Sequence, residues 1–409
     1  MKTDIRTNPL NIIVIVAALG YFVDIYDLVL FMMVRIPSLH AIGIAPDQIT
    51  SAGVYLINMQ MFGMLLGGIV WGILGDKRGR LSTLFLNILL YSLANIANGF
   101  VTTLDQYAVL RIIAGFGLAG ELGIGITLVS EVMSKETRAW GTSIVAGVGI
   151  AGAVLAYWVA QWGWREAYWI GGGLGILLLG LRVYIHESGM FDKVKSSGAK
   201  RGNFFSLFTN RKRLLKYLAC ILIGIPVWFT AGMLMGFSTE FGVALKLTGP
   251  VSPAEAVMFH YSGAAFGSII IAWISQKLKS RKKALLIAII LLALCCVWYF
   301  SIIGSTPFMY YLVSFALGIA MGYWAVFITV ASEQFGTNIR STVTTTVPNF
   351  VRGTLPLMLI WWTFMAKDMN LGIIQAAMIV GAIVLLIAIV ATFFLEESYD
   401  KDLDYTEED

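Results

Sequence analysis

Apolar runs of about 20 residues follow one another along the chain, separated by short polar turns, and each is long enough to cross a ~30 Å hydrocarbon layer as a helix. Twelve such runs are counted, at 11–36, 50–74, 82–101, 105–131, 140–160, 166–186, 214–238, 255–277, 284–303, 308–332, 341–366 and 372–395. In lipid, backbone polar groups must pair within their own segment, and these runs lack the alternation of a strand, so helices are predicted throughout. The first run is too long for a signal-peptide core and reads as a retained anchor.

Composition excludes an ordinary soluble domain: 58% of residues are hydrophobic and only 13% charged. Cys220, Cys295 and Cys296 all fall in predicted helices with no metal-ligand spacing and no disulfide framework, so they read as small packing residues. No P-loop, His-Glu-x2-His or nucleophile elbow is present. An enzyme, a cofactor and a metal are therefore not expected. With the N-terminus placed in the cytoplasm, 23 of the 29 basic residues fall on that side, four (Arg35, Arg165, Lys246, Lys367) fall outside, and Arg111 and Arg352 lie within helices. That asymmetry predicts a multi-pass protein of the cell (inner) membrane with both termini cytoplasmic. The net charge of +5 then reports topology and gives no reason to invoke nucleic acid.

The longest polar interval divides six runs from six. Ser130-Glu131-x6-Arg138 in the first half returns as Ser332-Glu333-x6-Arg340 in the second, at an offset of 202. A duplicated unit follows: two pseudo-symmetric six-helix bundles at 1–186 and 214–395, joined by a linker at 187–213 and followed by an acidic tail at 396–409. The tail's composition predicts a solvated, disordered end. Duplicated bundles that rock against one another are how secondary transporters alternate access.

Asp24 and Asp27 interrupt the first apolar run. Three residues apart, they are separated by ~4.5 Å along a helix axis and ~60° around it, close to one face near mid-span. A charge there costs at least ~2.5–3.5 kcal/mol, and two neighbouring carboxylates resist ionising together. They read as a proton-binding site; the alternative is a structural pair satisfied by amides or by Arg111. Glu121 and Arg111 lie in the fourth run, and Pro348, Asn349 and Arg352 in the eleventh. A mid-span arginine can grip a carboxylate or phosphate, or it can be a packing ion pair. Trp228, Tyr323 and Trp324 either wall a cavity or pack against helices and lipid. His260 can titrate near neutrality, or simply be hydrogen-bonded.

Between the second and third runs stands Gly72-x3-Asp76-x2-Gly79-Arg80, and with twelve spans and the repeated Ser-Glu-x6-Arg the whole chain resembles the major facilitator superfamily. The resemblance implies that helices one, four, seven and ten line a central cavity. It also implies a gate in which Asp76, Arg80, Glu131 and Arg138 pair at the cytoplasmic ends of helices, with Glu333 and Arg340 as second-half copies. The alternative for this loop is a topogenic basic turn. Gly20-x3-Asp24-x2-Asp27 is similar to the first helix of the metabolite:proton symporter branch, the proline/betaine and α-ketoglutarate permeases, with some likeness to phosphate:proton symporters.

The resulting expectation is alternating-access, proton-coupled import of a small polar organic solute, most simply one with a carboxylate, by a monomer in the bilayer. Asp24, Asp27 and Glu121 would handle the proton, and Arg111, Arg352, Asn349, Trp228, Tyr323 and Trp324 the solute. The same fold admits a proton-driven exporter or a phosphate:proton symporter, and a different class would be a non-transporting membrane receptor.

Overall fold

The polar leader gives way to the first helix at Asn11, whose Oδ1 accepts hydrogen bonds from the backbone N–H groups of Ile13 and Val14 at 3.0 Å each. The same chemistry opens later helices: Thr103, Thr306, Ser252 and Ser280 each cap the helix that follows, with Pro in the first turn after Ser252 and Thr306. The computed structural model describes residues 11–134, 137–182, 201–399 and 401–407; side chains of residues 138, 139 and 182 lie outside that description, as does most of the predicted linker.

Among the described residues the protein is all-helical, with no strand. The first-half helices are α1 (Ile12–Ala41), α2 (Ile49–Arg78), α3 (Arg80–Asn98), α4 (Leu104–Leu118), α5 (Glu121–Val132), α6 (Arg138–Ile150), α7 (Gly152–Ala160) and α8 (Trp164–Arg182). A short α9 (Ser206–Thr209) precedes α10 (Arg211–Trp228), α11 (Ser238–Ala244), α12 (Pro253–Leu278), α13 (Arg281–Ser301), α14 (Pro307–Met321), α15 (Trp324–Gln334), α16 (Arg340–Gly353), α17 (Leu355–Lys367) and α18 (Ile373–Phe394). Ten helical stretches among the described residues are long and apolar enough to cross a membrane. Of the other two predicted runs, 166–182 falls on α8, whose first turn carries Arg165 and Glu166, with 183–186 outside the described residues, and 341–366 falls on α16 and α17, interrupted at Thr354.

Several runs bend near their middles. The fourth is broken at Ala119–Gly120, so that Glu121 opens α5, and the tenth at Gly322–Tyr323, so that Trp324 opens α15. The seventh passes from α10 into a π-helical stretch, Phe229–Met235, just beyond Pro226. Such breaks free backbone groups, which membrane proteins tolerate where the backbone lines a cavity or is buried in protein. At the first break Asn349 Nδ2, from the other half, donates to the Ala119 carbonyl at 2.7 Å.

Close glycine contacts recur in the two parts of the chain. A Cβ at Gly63 or Gly67 on α2 would run into the backbone carbonyls of Ile112 and Phe116 on α4, and one at Gly115 into that of Gln60. Later in the chain Gly263 and Gly267 on α12 stand in the same relation to Phe315 and Ile319 on α14, and Gly318 to His260. Small residues let membrane helices approach backbone to backbone. Gly263→Ala is therefore expected to destabilise the protein by roughly 1–3 kcal/mol, seen as a lower thermal midpoint in detergent. Gly147→Ala, where no neighbour lies closer than 3.7 Å, should leave it near the parent value.

Candidate functional site

Where α1 meets the breaks of the seventh and tenth runs, Tyr21, Ile25, Trp228, Tyr261, Trp324 and Arg352 enclose a small void of ≈ 10 Å³, room for about one water, between the two halves. Arg352 is 1% exposed. Its Nη1 donates to Asn349 Oδ1 at 3.1 Å, its guanidinium lies 5.9 Å from the ring centres of both Trp228 and Trp324, and its Nε has no hydrogen-bond partner among the described residues. Trp228 Nε1 is likewise without one, whereas Trp324 Nε1 donates to Tyr21 Oη at 3.1 Å. A cation flanked by two indoles, with donors unspent, has the chemistry to attract an anion.

Asn349 serves this group indirectly: its amide nitrogen is held by the Ala119 and Thr345 carbonyls, at 2.7 Å each, which aims its oxygen at Arg352. Tyr323 departs from the expectation. Its hydroxyl donates to the Ile223 carbonyl at 2.9 Å and the ring does not line the void.

Asp24 and Asp27 are fully buried; neither Asp24 oxygen has a hydrogen-bond partner among the described residues, and beside Asp27 the Asn95 amide is the neighbouring polar side chain. They look at different neighbours. The charged groups acting on Asp24 are Arg352 and Glu121, while those acting on Asp27 are Asp24 and Arg111. Asp27 Oδ1 abuts Gly171 of α8, where a Cβ would collide with it. Arg111 is held by Gln60 Oε1, reaches Tyr168 Oη at 3.4 Å, and stacks 4.9 Å from the centre of Phe31. Tyr168 in turn shares a 2.7 Å hydrogen bond with Tyr107. His260 is buried between the Ser314 carbonyl and Met321 Sδ, at 3.1 Å from each. The three cysteines are buried and unpaired.

At the other end of α16 from Arg352, a charged cluster joins the halves. Arg80 Nη2 meets Glu131 at 2.9 Å and Asp76 at 3.4 Å, and Arg340 Nη1 reaches the same Glu131 oxygen at 3.3 Å. Asp76 accepts from the backbone N–H groups of Ser341 and Thr342 and from Thr342 Oγ1, at 3.1, 2.8 and 2.7 Å. The Arg138 side chain lies outside the described residues. Glu333 pairs with Arg281 at 3.1 Å rather than with Arg340. Glu131→Gln leaves two buried guanidiniums sharing fewer counter-charges; a loss of about 3–5 kcal/mol of closed-state stability is expected, read as faster cysteine labelling at this end.

A second ion pair, with no signature in the sequence, joins α1 to α11. Arg35 Nη2 contacts both carboxylate oxygens of Glu240, at 3.0 and 3.1 Å, and Thr50 donates to Glu240 at 3.0 Å. Equally unmarked in the sequence are Arg281, which takes the place in the second half that Arg80 takes in the first, and Tyr21 and Tyr261 around the void. No group of three or more His, Cys, Asp or Glu side chains among the described residues could hold a metal ion.

Residues 17–354 match the sequence profile of the Major Facilitator Superfamily. The probable 4-methylmuconolactone transporter of Cupriavidus pinatubonensis is 26% identical over a stretch covering 68% of this chain and 66% of that relative, just under two thirds of its length. The putative niacin/nicotinamide transporter of Bacillus subtilis is 27% identical over 82% of this chain and 84% of its own. Among solved structures, the proton:xylose symporter XylE bound to 6-bromo-6-deoxy-D-glucose superposes with a TM-score of 0.76 at 17% identity, covering 96% of this chain and 97% of that one. At that identity the likeness is one of fold.

Proposed function

Since the chain belongs to the major facilitator superfamily, and is a multi-pass membrane transporter rather than an enzyme, we propose that it imports a small ring-bearing organic carboxylate together with a proton. Arg352 binds the carboxylate, Trp228 and Trp324 flank the ring, and Asn349 orients the guanidinium. The relatives' names, which carry 4-methylmuconolactone and niacin or nicotinamide, support a compact ring-bearing solute.

One observation carries the coupling: Asp24 is buried without a hydrogen-bond partner, and Arg352 is the cation acting on it. A solute carboxylate that takes Arg352 removes Asp24's counter-charge, so Asp24 takes up a proton as the solute binds. Proton and solute then favour each other's binding and travel together, which is symport; an antiporter would need them to exclude one another. Asp27, beside Arg111, and Glu121, beside Asp24, relay the proton. Arg111 holds Asp27's charge when the proton has left.

In this reading twelve spans form two six-helix bundles, 1–186 and 214–395, joined by the linker at 187–213, with both termini in the cytoplasm and the chain acting as a monomer. The bias of basic residues supports that topology. Asp76, Arg80, Glu131, Arg138, Glu333 and Arg340 form the cytoplasmic gate, and Arg35 with Glu240 the outer one. Proteoliposomes given radiolabelled benzoate or niacin under an inward proton gradient test the proposal. Accumulation that collapses with a protonophore is expected; uptake indifferent to the gradient would refute the coupling.

A further inference from the structure

The acidic segment after α18 is docked, contrary to the solvated end that its composition suggests. Glu397 receives the backbone N–H of Arg281 at 2.8 Å and the Ser280 hydroxyl, Ser398 Oγ donates to Glu333 at 2.8 Å, and Tyr399 Oη to Gln276 at 3.0 Å. Burial alone would raise Glu397, but the hydrogen bonds from Ser280, Arg281, Tyr399 and Lys282 hold it below the usual glutamate value. Farther on, the Tyr405 carbonyl accepts from the Thr337 N–H at 2.8 Å. Glu407 exchanges two hydrogen bonds with the Asn338 amide, at 2.9 and 3.1 Å, and pairs with Arg213 at 3.4 Å. Leu403 between them is fully buried.

Its carbonyl lies at the centre of the arrangement. It accepts from Arg340 Nη2 at 2.6 Å while Nη1 of the same guanidinium reaches Glu131 across the seam between halves. It also accepts from Thr337 Oγ1 at 3.1 Å, and the Thr337 backbone carbonyl accepts from Arg80 Nη2 at 3.3 Å. The segment thus braces the two second-half elements, the 335–339 loop and Arg340, that meet Arg80 and Glu131 of the first half. A long arginine left unbraced loses rotamer freedom each time it closes on Glu131, whereas one already fixed by a carbonyl closes at less entropic loss.

We propose that residues 396–399 and 401–407 form a latch that biases this end of the transporter towards closure by holding Arg340 on Glu131. The inference rests on the reading that the two halves separate here. Dislodging the segment weakens the seam without touching a gate residue, and so raises the population open at this end.

The test uses the full chain with a reporter substitution, Thr127→Cys, at a position whose hydroxyl meets that of Thr344 across the seam at 2.6 Å. Alkylation of the introduced thiol then measures opening and needs neither solute nor proton. Leu403→Asp, which cannot stay buried, is expected to speed alkylation about tenfold, the loss of one charge-assisted hydrogen bond. Leu403→Ala should move the rate in the same direction by less. Adding Asn338→Cys and Glu407→Cys to the Leu403→Asp protein should return the rate to the parent's when the disulfide forms, and reductant should release it again, which also shows that the variant is folded. Parental rates in both Leu403 variants, or a disulfide that fails to restore slow labelling, would overturn the latch. A reporter thiol that is never alkylated in the otherwise unaltered chain would deny the rocking motion itself.

Discussion

Arg352→Lys is expected to weaken binding of the carboxylate solute about 100-fold, although the charge is retained. Lysine presents one compact ammonium where arginine presents a planar fork, and it cannot stack between Trp228 and Trp324 in the same way. Losing one partner's geometry in a desolvated charge pair costs about 2–3 kcal/mol, which is that factor. Isothermal titration of the detergent-solubilised protein measures it. Trp324→Leu should weaken binding too, but by less, since it removes stacking and leaves the ion pair.

Asp24→Asn is expected to abolish accumulation driven by a proton gradient, so that the internal solute rises only to about the external level, while solute-for-solute exchange survives. Asparagine keeps the shape and takes away the proton. Asp27→Asn should also abolish accumulation, but the two part company in binding. In the parent, solute affinity rises as pH falls, because a proton on Asp24 leaves Arg352 free for the solute. That dependence should vanish in Asp24→Asn and persist in Asp27→Asn, because Asp27 faces Arg111 rather than Arg352. Solute titrations across pH in the three proteins decide this.

Much of the site could be read from sequence because membranes make charge conspicuous. Asp24, Asp27, Arg111, Glu121 and Arg352 stand out in apolar runs, and the repeated Ser-Glu-x6-Arg points to Glu131 and Arg340 without a structure. What was hidden depends on distance along the chain or on the backbone. Arg35 and Glu240 pair across 205 positions with no pattern linking them. Arg281 lies one residue off the duplication offset of 202 that relates Glu131 to Glu333, so a strict comparison lands on Lys282. The docking of the acidic segment relies on backbone carbonyls of Leu403 and Tyr405, which composition does not register. Tyr323 and Trp324 are equivalent by residue type, and only their contacts, Tyr323 on the Ile223 carbonyl and Trp324 on the void, tell them apart.

The most direct test is to record the pH outside proteoliposomes, with no gradient imposed, as a ring-bearing carboxylate such as benzoate is added. Saturable alkalinisation of the medium that follows the solute inward, absent with Asp24→Asn, is the result expected if buried Asp24 loads a proton each time Arg352 takes a carboxylate. Saturable solute uptake with no proton movement would contradict it.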